Sequence, residues 1–208
     1  HLSCIASVEA IREAKRLGYS VTAEVSPHHL CFTEEQVRTL DTSMKMNPPL
    51  RTEADRQALI EALVDGTIDC IATDHAPHSA HEKQVPFEQA PMGTTGLESS
   101  FAACYTELVR GGRMSLSMLI ERMTCGGAIF GLAIPQMTIG ESANLVLIDL
   151  EQQWHVGDDG YESRSENCAF HGIPLYGRVL LTVADGSVAY RQRSFALSAA
   201  PDLPEDQR

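Results

Sequence analysis

No stretch of the 208-residue sequence approaches the roughly eighteen consecutive apolar side chains of a membrane-spanning helix, and no charged-then-apolar leader opens it. That leaves the cytosol as the expected compartment, with no membrane as partner. Basic residues are scarce: 16 Lys and Arg stand against 28 Asp and Glu, a formal net charge of −12. Such a surface repels phosphate backbones, so nucleic acid is not an expected partner either. No two of the six cysteines (Cys4, Cys31, Cys70, Cys104, Cys125 and Cys168) form a Cys-x-x-Cys pair, which removes the zinc-ribbon and thioredoxin readings. Several lie among apolar neighbours, as in Asp69-Cys70-Ile71-Ala72, where a reduced thiol behaves as a small core side chain. Internal repeats and low-complexity tracts are absent. So is an initiator Met, and His1-Leu2-Ser3 reads as the end of an element, so a fragment or a processed product is expected.

What is present, 43% hydrophobic and 21% charged residues, is the balance of a globular protein. From Ser7 to Leu17, Val8, Ala10, Ile11 and Ala14 share one helical face, and Gly18 supplies a stop. The run Ser20–Ser26 alternates as a strand and is cut off by Pro27. Thr33 and Gln36 form a capping box for a short helix, and Thr52 with Asp55 starts a longer one closed by Gly66. The strand Ile68–Thr73 follows. Residues 75–95, with Pro77, Pro86, Pro91 and Gly93, read as a functional loop. Helices are expected over 96–109 and 115–123.

This is the βα grammar of a parallel α/β protein. Too few strands are present to close an eight-stranded barrel, which takes roughly 250 residues. After Pro135 the pattern changes. Residues 143–150, 177–184 and 187–190, the last two joined by the turn Asp185-Gly186, read as strands of a small β module spanning 136–193. A frayed tail is expected over 194–208.

Chemistry concentrates where strands end, the place where parallel α/β folds put their catalytic groups. Thr73-Asp74-His75-Ala76-Pro77-His78 delivers an acid and two imidazoles from a strand into a loop. Asp and His together suit a divalent cation, and the carboxylate can also shuttle a proton of an activated water. The alternative is a turn in which Asp74 caps a backbone N–H and the histidines are solvated. His1 stands at another strand end by the same grammar, although a terminal His without context is more often no ligand at all. Ser26-Pro27-His28-His29 ends a third, although local packing is the favoured role for both of its histidines. Met46-Asn47-Pro48-Pro49 is rigid and non-helical, and the Asn47 amide can donate and accept toward a polar ligand. His155 and His171 lie in the later β region and read as structural or solvent-facing.

Taken together, His1-Leu2-Ser3, Thr22–Leu30, Met46–Arg51, Thr73–His78 and Pro91-Met92-Gly93 resemble the bacterial dihydroorotases of the amidohydrolase superfamily, in order and in spacing. The resemblance runs into the β part through Gly140–Leu145 and Gly177-Arg178-Val179. It implies the C-terminal part of a metal-dependent (β/α)₈ barrel (1–135) with a small β-sandwich module. It implies one or two Zn²⁺ per complete active site, and reversible hydrolysis of (S)-dihydroorotate to N-carbamoyl-L-aspartate in pyrimidine synthesis. On this resemblance His1 and Asp74 are metal ligands, and Asp74 is also the catalytic acid/base. Asn47, His78, Met92 and Gly93 bind substrate. A homo-oligomer and aspartate transcarbamoylase are candidate partners.

Two departures stand out. Met92 replaces an aromatic residue, and Cys125-Gly126-Gly127 replaces an Asn-Pro-Ala, which removes a Pro that presets the first turn of a helix. The family's remaining ligands, and the Arg that holds the substrate carboxylate, lie upstream of anything in this sequence, so the chain alone is expected to be inactive. Two competing readings remain. One is a hydantoinase or allantoinase of the same architecture; the other is a non-catalytic scaffold for aspartate transcarbamoylase.

Overall fold

The computed structural model describes residues 1–134 and 136–195. Helix α1 spans Ile5–Arg16, starting earlier than the apolar stripe suggests. The Ser7 hydroxyl donates to the Cys4 carbonyl at 2.7 Å and accepts the Cys4 N–H at 3.3 Å, while Asp55 Oδ1 accepts the Ile5 N–H at 2.9 Å. These contacts satisfy orphan groups of the first turn. Strand β1 is only Glu24–Val25, shorter than the expected Ser20–Ser26. The reason lies across the sheet: the Asp69 carboxylate, held by Lys15 Nζ at 2.9 Å, takes the Ala23 N–H at 2.8 Å, so a side chain replaces the next rung of the ladder.

Pro27 opens the short helix α2 (Pro27–Cys31), a use of Pro at a first helical turn where the pattern alone shows only a strand stop. A 3₁₀ turn follows over Glu34–Thr39, capped by Thr33 and Gln36 as expected. Helix α3 (Glu53–Asp65) carries the Thr52–Asp55 box and ends at Gly66 with φ 86°. Strand β2 (Cys70–Ile71) pairs parallel with β1, Glu24 opposite Cys70 and Val25 opposite Ile71. On the other side of β1, the Leu2 N–H reaches the Glu24 carbonyl at 2.9 Å, so residues 1–2 run as the neighbour of β1.

The loop after β2 contains one helical turn, α4 (Ala80–Lys83). Helix α5 (Ser100–Cys104) widens into a π turn over Tyr105–Arg110. Helix α6 (Leu116–Thr124) runs almost directly into α7 (Gly126–Ile129). The helix therefore begins at Gly126 without the family's Pro. A Cβ at Gly126 would sit 3.1 Å from Cys70 Sγ, so the small residue there lets α7 close on β2. Val8, Val25, Leu30, Leu63, Ile68, Leu108 and Leu119 form the core shared by α1, α2, α3, the π turn after α5, α6 and the parallel strands.

Strands β3 (Leu145–His155), β4 (Pro174–Ala184) and β5 (Ser187–Arg191) form an antiparallel sheet in the order β3-β4-β5. β3 runs past the expected end at Leu150 through an irregularity between Asp149 and Gln153, where Asp149 Oδ1 accepts the Glu151 and Gln152 N–H groups, each at 3.0 Å. Asp185 and Gly186 both have positive φ, 47° and 75°, as the hairpin turn requires. This sheet is tied to the α/β part by a second core in which Phe32, Met46, Ala102 and Ala103 meet Val156, Phe170 and Leu175. All six cysteines are free; Cys70, Cys104 and Cys168 are buried and the others partly so. Burial pushes the Cys70 thiol up to about 11 and Cys104 to about 12, which keeps them inert. The boundary at Pro135 and the tail beyond 195 fall outside the described residues. Among those described, no helix is long and apolar enough to cross a membrane.

Candidate active site

The ends of three neighbouring strand segments converge on one cluster. His1, on the segment beside β1, has Nδ1 3.1 Å from Glu24 Oε1 and Nε2 3.4 Å from Asp74 Oδ1. Glu24 belongs to β1, and Asp74 follows β2. All three side chains are partly shielded, 22% exposed for His1, 33% for Asp74 and 38% for Glu24. Asp74 adopts φ 49°, a left-handed conformation that Asp tolerates better than most residues and that tends to mark functional sites. A shallow cleft of about 320 Å³, lined in part by His1, Leu2, Glu24, Cys70 and Phe130, opens beside the cluster.

The electrostatics of His1 are asymmetric. A neutral imidazole has one N–H; if Glu24 accepts it, the other ring nitrogen turns a lone pair toward the Asp74 carboxylate. Two lone pairs facing each other call for a proton or a cation between them. The 3.4 Å gap also matches the edge between two donors that each lie about 2.0–2.2 Å from a tetrahedral zinc ion. His1 and Asp74 therefore fit two corners of such a donor set. Glu24 stands on the far nitrogen, where carboxylates orient metal-bound histidines. Among the described residues, no group of three or more His, Cys, Asp or Glu side chains is arranged to hold a metal ion by itself.

The other imidazoles differ in role. His75 Nδ1 accepts the Gly96 N–H at 3.1 Å, and His75 bridges to Thr94 in parallel fashion, so it anchors the two ends of the loop. The His78 Nε2–H donates to the Met92 carbonyl at 2.9 Å, and its N–H donates to Asn167 Oδ1 at 3.0 Å. His29 is buried. Its Nε2 lies 2.9 Å from the Pro48 carbonyl and its Nδ1 2.6 Å from Ser26 Oγ. A carbonyl only accepts, so the proton sits on Nε2 and the Ser26 hydroxyl donates to Nδ1. Burial lowers the His29 pKa, against the opposing pull of its bond to Pro48. His28 packs beside it with Nε2 unpartnered among the described residues, and burial pushes its pKa down to about 3. His155 is exposed beside Asp158, and His171 pairs with the Tyr161 hydroxyl; both lie away from the cluster.

Asn47 is exposed on the segment that His29 braces, and its peptide bond to Pro48 is cis. Met92 is 51% exposed. The next residue, Gly93, has φ 117°, and a Cβ there would meet the Ala76 Cβ at 2.5 Å. The absence of a side chain at Gly93 is thus required by the packing of Ala76. The Gly93 N–H donates to the Lys45 carbonyl at 2.7 Å.

Three residues of this region had no signal in the sequence. Glu24 sat in a strand pattern with no reason to single it out. Nothing in the sequence pattern singles out Lys45. Asn167, buried between β3 and β4, donates from Nδ2 to the Ala76 carbonyl at 3.0 Å and takes the Thr95 N–H on its own carbonyl at 2.9 Å. Only three-dimensional proximity joins it to residues some ninety positions earlier in the chain. A second cleft, also about 320 Å³, lies between α5 and the antiparallel sheet, around Phe101, Trp154 and Arg178, and holds none of the expected site residues.

The model of the amidohydrolase family matches residues 1–189. Dihydroorotase of Macrococcus caseolyticus (strain JCSC5402) is 46% identical over 198 residues, covering 94% of this chain and 46% of that protein. Dihydroorotase of Bacillus subtilis (strain 168) is 46% identical over 193 residues, covering 92% and 45%. The chain thus spans about 46% of the length of the curated relatives it matches. Among solved structures, the L-hydantoinase (dihydropyrimidinase) of Arthrobacter aurescens superposes with a TM-score of 0.85 at 30% identity, over 95% of this chain and 45% of that one. The dihydropyrimidinase of Brevibacillus agri NCHU1002 shares the fold with a TM-score of 0.84 at 24% identity, over 94% of this chain and 44% of that one.

Proposed function

The chain belongs to the amidohydrolase family, and from that premise we propose that it forms the C-terminal part of a (β/α)₈ barrel with an appended β-sandwich module, from a cytosolic dihydroorotase. The protein carrying it would interconvert (S)-dihydroorotate and N-carbamoyl-L-aspartate. The observation that carries this reading is the His1–Asp74 pair, two metal-type donors 3.4 Å apart at the ends of neighbouring strands. Its specificity for dihydroorotate rests on the 46% identity to proteins bearing that name.

His1 Nε2 and an Asp74 oxygen would hold zinc together with donors from elsewhere in the protein, since a catalytic site takes three protein ligands. When bound, zinc lowers the pKa of a coordinated water toward about 7 and polarises the amide carbonyl under attack. Asp74, as a carboxylate, takes a proton from the attacking water and returns it to the ring nitrogen as the C–N bond breaks, because an amide anion is a poor leaving group. Glu24 holds the His1 ring so that Nε2 faces the metal. Asn47, His78, Met92 and Gly93 grip the substrate. For Gly93, whose N–H is engaged by Lys45, the contribution is the open backbone rather than that donor.

The test uses protein expressed from the whole reading frame that contains this chain, assayed on dihydroorotate, hydantoin, dihydrouracil and allantoin. Turnover of dihydroorotate well above the others is expected, with Asp74→Asn losing about 10²–10⁴-fold in kcat. The likeness to L-hydantoinase at 30% identity makes preference for hydantoin the second reading. Turnover of none of the four would favour the non-catalytic scaffold and overturn the proposal.

A further inference from the structure

We propose that Lys45 is a positioning residue that yokes the two substrate-gripping segments, the one carrying Asn47 and the one carrying Met92 and Gly93; the role in substrate binding rests on the function proposed above. The Lys45 ammonium donates to three carbonyls of one short stretch, Phe87 at 2.8 Å, Glu88 at 2.9 Å and Ala90 at 2.7 Å. An ammonium has three donors, and here all three converge on backbone acceptors of the loop. The Phe87 ring lies 5.5 Å from the same nitrogen, within cation–π range.

The backbone of Lys45 makes the second half of the yoke. Its carbonyl accepts the Gly93 N–H at 2.7 Å. One residue therefore grips the loop at both ends of the stretch 87–93, by side chain and by main chain. Met46, the next residue, is buried in the second core, which fixes the near end. Asn47 follows at once, on the segment that His29 braces through the Pro48 carbonyl. The loop has a neighbouring tie in Lys83, whose buried Nζ donates to the Thr42 and Pro91 carbonyls at 2.9 and 2.8 Å. That tie ends at Pro91 and does not touch the Asn47 segment beyond Thr42. Without the Lys45 ammonium, three carbonyls lose a charged donor at once, and nothing else among the described contacts holds Glu88 and Ala90 to residues 45–47.

The experiment compares wild type with Lys45→Met in protein from the whole reading frame, by amide hydrogen exchange over residues 86–93 and by steady-state kinetics on dihydroorotate. Exchange in that stretch is expected to quicken about tenfold or more, the size implied by losing charge-assisted bonds. KM should rise about tenfold while kcat stays within about threefold, the pattern of lost ground-state positioning. Metal content should not change. Unchanged exchange overturns the yoke. Faster exchange with unchanged KM, or with a fall in kcat alone, overturns the positioning role. Should Lys45→Met not fold, Lys45→Gln, which keeps an amide donor, is expected to show the same split at smaller size, and a wild-type KM and exchange pattern there overturns the proposal. If wild type turns over no dihydroorotate, the functional reading fails while the exchange arm still decides whether Lys45 holds the loop.

Discussion

His28 shows how a single side chain couples this fold to pH. It is 2% exposed, its Nε2 has no partner among the described residues, and burial followed by the neighbouring His29 depresses its pKa from 6.5 to about 3. The folded state therefore holds a neutral ring where the unfolded chain, between pH 6.5 and about 3, takes up a proton. Stability from this site is fully present above pH 6.5 and falls as pH drops through that window, by up to about 1.4 kcal/mol per pH unit. His28→Leu, similar in volume and unable to titrate, is expected to shrink the loss of urea midpoint between pH 7 and pH 5. An undiminished loss in the variant would show that the ring is not the group responsible. His29, one residue on, has partners for both nitrogens. The sequence pattern assigns both rings to local packing but cannot separate them, because the difference depends on which of two adjacent side chains reaches the Pro48 carbonyl.

At the scale of elements, the pieces most exposed to disruption are those joined by buried polar bonds rather than by apolar contact. Asn167 joins the segment between β3 and β4 to the Ala76–Thr95 loop through the His78 N–H, the Ala76 carbonyl and the Thr95 N–H. Asn167→Leu keeps the branched shape of the side chain but leaves the His78 donor and the Ala76 acceptor unpaired, which should cost about 1–3 kcal/mol. A lowered urea midpoint with an unchanged m-value would bear this out, and an unchanged midpoint would contradict it. Elements announced by local chemistry were legible in advance: the Thr52–Asp55 box with Gly66, the Thr33–Gln36 box, and the Asp185-Gly186 hairpin. Elements set by distant partners were not. β1 is cut short by a carboxylate from the next strand, β3 is prolonged past a polar run by the irregularity at Asp149, and α2 grows from a Pro that pattern alone reads as a stop.

At the scale of the whole molecule, the site was legible to the extent that strand ends are. Asp74 stands out because grammar and chemistry coincide there and His1 only through the family resemblance, whereas Glu24, Lys45 and Asn167 acquire meaning only from the positions their neighbours take up. The same geometry sets a limit on what these 208 residues do unaided. On the proposed reading His1 and Asp74 supply two donors, fewer than the three that a catalytic zinc takes from protein. Large apolar side chains also stand open to solvent, among them Phe130 at 80%, Leu132 at 65%, Met137 at 87% and Val146 at 55% exposure. The 208 residues expressed by themselves are therefore expected to retain less than one equivalent of zinc after dialysis, to bind an apolar dye, and to leave dihydroorotate untouched. Protein from the whole reading frame should retain the metal and turn the substrate over. Zinc-dependent hydrolysis by the 208 residues alone would mean that two strand-end donors and a third group from within this chain suffice, and Glu24, already on the His1 ring, would be the first residue to replace.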